Sequence, residues 1–256
     1  MSLSSIWNRA RNGTTLCVAS ALALASPVAI APAAATTVQP VIVDLTAAGR
    51  KSSTTVEVQN DFKTKLPVEL RVEAAEFVNG ELKSTGKPSD DILTFPPSAL
   101  IEPGRTQNFR IQYLGDPAIK QSRHYIVTVV QLPVAFTGQQ SEVQVLYDFQ
   151  VITSVKPLGG TPAIRISGTE VLAKDGKYQA VLLLENTSDT YGYLSTGSLR
   201  LKLRDAQGKV TYQKSLNSLQ VQDQIGYGLV GAHQTRRLVT PLLLPGNGKL
   251  EAEFLP

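Results

Sequence analysis

The histidines, the lone cysteine and the paired acids are the side chains whose types could do chemistry in this sequence. His124 begins an alternating apolar run and His233 lies in a Gly-Ala-His-Gln turn, and neither has a companion at the spacing of a catalytic or metal motif. Asp90 and Asp91 are adjacent, and neighbouring side chains of an extended chain point to opposite sides. We therefore predict no catalytic set, no metal site and no cofactor, and expect a binding protein rather than an enzyme.

The composition bounds the class of protein. The chain has 256 residues, of which 42% are hydrophobic and 18% are charged. That is enough apolar material for a core and too little charge for a disordered chain. The formal net charge is +4, with no block of Lys and Arg, so nucleic acid is not an expected partner.

Residues 1–35 have the pattern of a secretory signal peptide. A basic start at Arg9 precedes the uncharged apolar stretch Thr14–Ala25, and three alanines ending at Ala35 supply a small-residue cleavage site. The apolar stretch is short for a bilayer span, so we expect cleavage near Ala35 and no stable membrane insertion. The only cysteine, Cys17, leaves with this segment. The mature chain must therefore be held together without disulfides.

The elements that position the remaining residues are predicted to be β-strands. Apolar and polar residues alternate in many short runs between turn signals such as Asn79-Gly80 and Pro103-Gly104. No stretch of twelve or more residues carries a convincing helical stripe. Residues 142–155 form the longest alternating run. Further runs lie at Val56–Asn60, Val68–Val72, Phe109–Tyr113, Tyr125–Val129, Tyr178–Leu184, Leu199–Leu203, Arg237–Leu244 and Lys249–Phe254.

A segment rich in proline and glycine divides the mature chain. Residues 156–162 read Lys-Pro-Leu-Gly-Gly-Thr-Pro, which is typical of a linker after a long strand. We predict domains at 36–158 and 159–256, each close to the ~100 residues of an immunoglobulin-like sandwich. The predicted fold class is all-β, with two immunoglobulin-like β-sandwich domains.

The order and spacing of several motifs resemble those of periplasmic pilus chaperones of the PapD type. The C-terminal half matches loosely, through Glu185–Ser188 and Ile225–Leu229. The N-terminal half carries the resemblance in Val38–Val43, Val56–Asn60, Phe95-Pro96-Pro97, Ile101–Gly104 with Gln107 and Arg110, Tyr125–Pro133, and Val143–Val155 followed by Lys156-Pro157.

This resemblance implies both an architecture and a function. It implies a boomerang arrangement of the two domains, located in the periplasm. Such chaperones bind pilus or fimbrial subunits, lend them a missing β-strand and deliver them to an outer-membrane usher. The short segment Ala135–Gln140 and the absence of a disulfide resemble the short-loop group. The resemblance also allows a homodimer that caps its own donor strand.

The donor strand implied by the resemblance is the long run before Lys156. Val143, Val145, Tyr147, Phe149 and Val151 share one face of this strand. The resemblance implies that the first three would enter the groove of a subunit. The residues alone also fit an ordinary half-buried strand that packs the same face on its own core.

The cleft departs from the family pattern. The family holds the C-terminal carboxylate of its client with an Arg on the first strand and a Lys on the long strand. Aligned through Pro40 and Lys156-Pro157, these positions are Ile42 and Ile152, and an apolar residue cannot neutralise a carboxylate. The nearby basic candidates are Arg50, Arg71, Arg123 and Lys156.

Two other functions fit the same pattern. The chain could be a secreted structural protein, such as a pilus subunit or an adhesin, although a subunit should have an N-terminal donor extension and an incomplete sandwich. It could also be a PapD-like scaffold or adaptor that never binds pilins, and Ile42 and Ile152 keep this alternative open.

Overall fold

The structure is a computed structural model that describes residues 36–133 and 145–256. In the first of these ranges and up to Lys156 the chain is built from β-strands. These are β1 (Thr36–Gln39), β2 (Ile42–Thr46), β3 (Ser53–Asn60), β4 (Leu66–Val78), β5 (Glu81–Pro88), β6 (Ile92–Phe95), β7 (Ser98–Ile101), β8 (Thr106–Tyr113), β9 (Arg123–Gln131) and β10 (Asp148–Lys156).

These strands form a sandwich of two sheets. One sheet has the order β1-β3-β8-β6, and the other has the order β2-β10-β9-β4-β5, with β7 also paired to β4. Alternate residues of the strands face the shared core, in which Val56, Phe109 and Val127 are fully buried. The alternation found in the sequence therefore describes real strands, with one face in the core and one face outside.

The first two strands belong to different sheets. β1 pairs antiparallel with β3, whereas β2 pairs parallel with β10, so that Ile42–Thr46 lie opposite Ile152–Lys156. Only Pro40 and Val41 separate the two strands, and a proline cannot donate a ladder hydrogen bond. The chain therefore crosses from one sheet to the other at this point, and the N-terminal part of β10 is not covered by β2.

The second half of the chain forms a further sandwich. Its sheets have the orders β11-β12-β17 and β15-β14-β18, and β13 pairs with β16. The elements are β11 (Ile164–Lys174), β12 (Lys177–Asn186), β13 (Gly192–Tyr193), β14 (Ser198–Arg204), β15 (Val210–Leu216), α1 (Ser218–Gln224), β16 (Leu229–Val230), β17 (Thr235–Leu244) and β18 (Lys249–Leu255).

Each sandwich has its own apolar core. The first core draws on residues 38–155 and the second on residues 180–250, with Leu182, Leu199 and Leu201 fully buried in the second. A buried asparagine closes the corresponding strand of each sandwich. Asn60 Nδ2 donates to the carbonyl of Ile101 at 2.9 Å, and Asn186 Nδ2 donates to the carbonyl of Thr190 at 2.8 Å. These hydrogen bonds give each buried side-chain amide a partner.

The structure confirms the all-β fold class and corrects one strand. The run at 142–155 is not the longest strand, because β4 has 13 residues and β10 has nine. Residues 142–144 lie outside the described residues, and 145–147 precede the strand. The boundary near residue 158 stays a proposal, supported by the separate cores. No helix in the described ranges is long and apolar enough to span a membrane.

Candidate functional site

The N-terminal half of β10 has one open edge. β9 pairs with β10 from Asp148 to Val155, whereas β2 pairs with the other edge of β10 only from Ile152 onwards. Within the described residues no strand pairs with the second edge of residues 148–151. The first hydrogen bond on that side runs from the Ile152 N–H to the Val41 carbonyl, at 3.0 Å. An open edge of this kind presents backbone donors and acceptors to a further strand.

The open edge continues for a few residues before β10. The N–H of Gln131 donates to the carbonyl of Tyr147 at 3.2 Å, which extends the pairing with β9 by one residue. Val145 and Tyr147 are 60% and 48% exposed, and Leu146 between them is also exposed. A strand edge flanked by exposed apolar side chains is an aggregation hazard unless a partner covers it.

The five predicted donor residues fall into three environments. Val145 and Tyr147 are exposed, whereas Phe149 is half-buried and packs against the first core, with its ring centroid 6.3 Å from that of Tyr147. Val151 is fully buried in that core, so in this structure its side chain packs within the protein's own sandwich. The reason is that β10 runs into the sandwich there. Val143 lies outside the described residues. The open part of the donor face is therefore Val145 and Tyr147, with Phe149 at its inner end.

Ile42 and Ile152 lie opposite each other on β2 and β10. Both side chains are half-buried and pack against a small cluster formed by Tyr191, Tyr193 and Leu229 of the second sandwich. The two positions are thus adjacent, as the alignment implies, and their apolar side chains contribute to packing between the sandwiches. This use explains why isoleucine is compatible with both positions.

The predicted basic candidates do not converge on Ile42 and Ile152 as a group. Arg71 contacts Glu69 at 3.3 Å and Arg123 contacts Asp91 at 3.2 Å, so both guanidinium groups already have a carboxylate partner. Arg50 is exposed in the short 3-10 turn Arg50–Ser52, and Lys156 is half-buried at the end of β10.

A chain of aromatic rings joins the sandwiches beside this cluster. His124 of β9 makes edge contacts with Phe77 and Tyr191, at centroid distances of 5.0 and 5.4 Å, and Tyr191 contacts Tyr193 at 5.7 Å. Tyr193 contacts Tyr227 at 5.8 Å. Edge-to-face contacts of this kind add to the burial of the rings. In the sequence, the closely spaced pair in Tyr191-Gly-Tyr193 is the local feature that could have indicated this interface between the sandwiches.

Polar groups complete the joint. The hydroxyls of Tyr191 and Tyr193 both donate to Asp44 Oδ1 at 2.7 Å. Burial, followed by the nearby Asp44 carboxylate, raises the pKa of both tyrosines, so they remain donors. His124 Nδ1 lies 2.8 Å from Ser154 Oγ, and burial lowers the pKa of His124 to about 4. His124 is therefore neutral at pH 7 and serves packing.

The two sandwiches also approach each other closely at the turn between β4 and β5. Asn79 and Gly80 connect β4 to β5 with φ of 53° and 78°. A Cβ added to Gly80 would lie 2.7 Å from the Thr235 carbonyl oxygen and 2.9 Å from the Arg236 Cα. Only glycine combines this positive φ with such a close approach to β17.

The described residues contain no group of three or more His, Cys, Asp or Glu side chains that could hold a metal ion. His233, the second histidine, is exposed, and its Nε2 lies 2.7 Å from Asp189 Oδ1. The two histidines therefore have different environments. His124 lies at the interface between the sandwiches, and His233 lies on the surface.

Comparison with known proteins supports the fold. Neither a protein-family model nor a curated protein sequence matches the chain. Among solved structures, the class 5 fimbriae chaperone CfaA is similar with a TM-score of 0.51 and 12% identity, covering 87% of this chain and 100% of that chain. The YadV chaperone gives a TM-score of 0.49 at 14% identity, covering 86% of this chain and 91% of that chain.

A further similar structure is the CsuC–CsuE chaperone–tip adhesion subunit complex of Acinetobacter baumannii. It gives a TM-score of 0.47 at 14% identity and covers 80% of this chain and 90% of that chain. The match to CfaA shows that this chain has the all-β, two-domain fold of a fimbrial chaperone. The fold implied by the sequence resemblance is thereby confirmed.

Proposed function

We propose that this protein is a periplasmic chaperone that binds pilus or fimbrial subunits by donor-strand complementation and delivers them to an outer-membrane usher. The observation that carries the proposal is the open edge of β10 at residues 148–151, extended by exposed Val145 and Tyr147. Main-chain hydrogen bonds along such an edge give affinity, and alternate side chains give specificity. The protein acts by binding, without catalysis.

Two features of the edge favour a subunit as the partner. The exposed side chains are apolar, which suits the groove of a sandwich that lacks a strand, and they lie on the face that leads directly into the first core through Phe149. A client strand and β10 would therefore extend one continuous apolar layer. Burial of a large apolar side chain in such a groove contributes at most ~1.5–3 kcal/mol.

The experiment is co-expression with any small secreted β-rich proteins that the flanking genes encode, followed by affinity capture. We expect the native protein to recover at least one of them and Val145→Asp to recover far less. Val239→Asp provides a matched control, because Val239 is an exposed valine on β17 of the second sandwich. Undiminished recovery with Val145→Asp would remove β10 as the donor strand.

An adaptor function without pilin binding has one observation in its favour, since Ile42 and Ile152 pack between the sandwiches and offer no charge to a client carboxylate. Recovery of an unrelated envelope protein by native protein, with no recovery of any β-rich neighbour, would favour the adaptor.

The periplasmic location is part of the same proposal. It is supported by the fold and by the signal-peptide pattern of residues 1–35, which lie outside the described residues. Mass spectrometry of protein from a periplasmic extract should give an N-terminus near Thr36. A full-length chain recovered from the membrane fraction would contradict it.

A further inference from the structure

A pocket of about 510 Å³ lies where the open edge of β10 ends. It is lined by the crossing between β1 and β2, including Val41 and Ile42, by Glu57 of β3 and by Tyr227 of the second sandwich. The carbonyl of Val41 accepts the first hydrogen bond that closes the edge, from Ile152. A strand paired with residues 148–151 would therefore lead towards this pocket.

The charge of the pocket is negative. Glu57 is exposed and forms no ion pair within the described residues, and no Lys or Arg is among the residues that line the pocket. Tyr227 contacts Tyr193 with ring centroids 5.8 Å apart, and the Tyr193 hydroxyl donates to Asp44 Oδ1, which does not line the pocket. Both tyrosine hydroxyls use Asp44 Oδ1, and no donor of the described residues contacts Oδ2. A client carboxylate placed here would meet the negative charge of Glu57.

The remaining walls suit a long side chain with a cationic end. Val41 is exposed and Ile42 half-buried, and together they offer an apolar surface to a methylene stem. Tyr227 is 40% exposed and presents an aromatic ring, which attracts an ammonium or guanidinium group. Glu57 then provides a carboxylate for the charged end.

We propose that this pocket binds a lysine or arginine side chain of the client strand that pairs with β10. The inference rests on the proposed function, because the client strand brings the side chain to the pocket. The client strand would then carry a positively charged side chain just beyond the segment that pairs with β10. This charge would take the place of a bound terminal carboxylate.

The test uses synthetic peptides, with affinity read by fluorescence anisotropy on the purified protein. The probe is a fluorescein-labelled, N-capped peptide of alternating valine and threonine that ends in a lysine amide. Matched peptides carry norleucine amide, glutamate amide or a free valine carboxylate at the end. We expect the lysine peptide to bind about fivefold more tightly than the norleucine peptide, and the two anionic peptides to bind most weakly.

Variants separate this inference from the proposed function. Glu57→Gln and Tyr227→Leu should each reduce the preference for lysine while leaving the affinity for norleucine nearly unchanged. Glu253→Gln, at an exposed position on β18 of the second sandwich, is the matched control and should preserve the preference. Val145→Asp should weaken binding of all four peptides.

Equal affinity for the lysine and norleucine peptides, with binding still lost in Val145→Asp, would overturn the cationic pocket and leave the donor strand standing. Tightest binding of the free carboxylate would overturn it in the same way. Binding of no peptide, or binding that Val145→Asp leaves unchanged, would contradict the donor strand and the pocket together.

Discussion

The Tyr191 hydroxyl lies 2.7 Å from Asp44 Oδ1, and this hydrogen bond joins strand β2 of the first sandwich to the loop before β13 of the second. Tyr193 donates to the same oxygen. The two residues flank Gly192, so that a short segment of the second sandwich supplies both donors. One carboxylate oxygen therefore accepts two hydrogen bonds between the sandwiches.

Removal of this carboxylate should destabilise the joint. Asp44→Ala leaves two buried tyrosine hydroxyls without their acceptor and should lower the free energy of unfolding by about 2 kcal/mol. Asp44→Asn retains an acceptor oxygen and should cost less. Urea denaturation measures both. In the Tyr191→Phe/Tyr193→Phe background the cost of Asp44→Ala should nearly vanish, and equal costs in both backgrounds would contradict the coupling.

The stability should depend on pH through His124. Burial lowers the folded pKa of His124 to about 4, below its ordinary value of 6.5, so the unfolded chain binds a proton first as the pH falls. The free energy of unfolding should therefore decrease by about 2 kcal/mol as the pH falls from 7.5 to 5, because of His124. His124→Gln should flatten this part of the pH profile in urea denaturation. The exposed His233→Gln is the control, and an identical slope in His124→Gln would argue against the assignment.

The two ends of the predicted donor face should respond differently to charge. Val145→Asp adds a carboxylate at an exposed position and should leave thermal unfolding of the free protein within about 0.5 kcal/mol of native. Val151→Asp buries an unpaired charge in the first core and should prevent folding. Circular dichroism distinguishes the two. A folded Val151→Asp protein would show that β10 is not anchored there.

The segment between β10 and β11 should be the place where brief proteolysis separates the sandwiches. Leu158 is 70% exposed, and Gly159 follows with φ of 75°. Chymotrypsin, which cuts after leucine, should give a C-terminal fragment that begins at Gly159, as identified by mass spectrometry. Trypsin should not cut after Lys156, because proline follows it. First cuts inside β11 or β12 instead would contradict an exposed linker.

The sequence alone predicts most of the strands because their signal is local. Alternation in Val56–Asn60 and Phe109–Tyr113 specifies which side chains face a core, and Asn79-Gly80 specifies a tight turn. Side chains two residues apart share a face whatever the strand pairs with. The all-β class followed from these patterns, whereas the run at 142–155 forms a strand only over Asp148–Lys156 of the described residues.

The position of the candidate site depends on how β10 pairs with β2 and β9, which are distant from it in the sequence. Val145, Tyr147 and Val151 share one face, yet only Val151 is in the core, because that part of the strand is enclosed by the sandwich while the preceding residues are not. Nothing in the local pattern distinguishes them. The resemblance placed Ile42 beside Ile152, and only the structure shows what covers them.

The contact of Asp44 with Tyr191 and Tyr193 could not be predicted from the sequence either. They are separated by about 150 residues, and no periodicity or motif links a carboxylate on one strand to hydroxyls in another domain. Local alternation fixes the direction of each side chain relative to its own strand. Contact between two strands depends on how their sheets pack, which is decided by the sum of weak contacts over the whole core and not by the residues that meet.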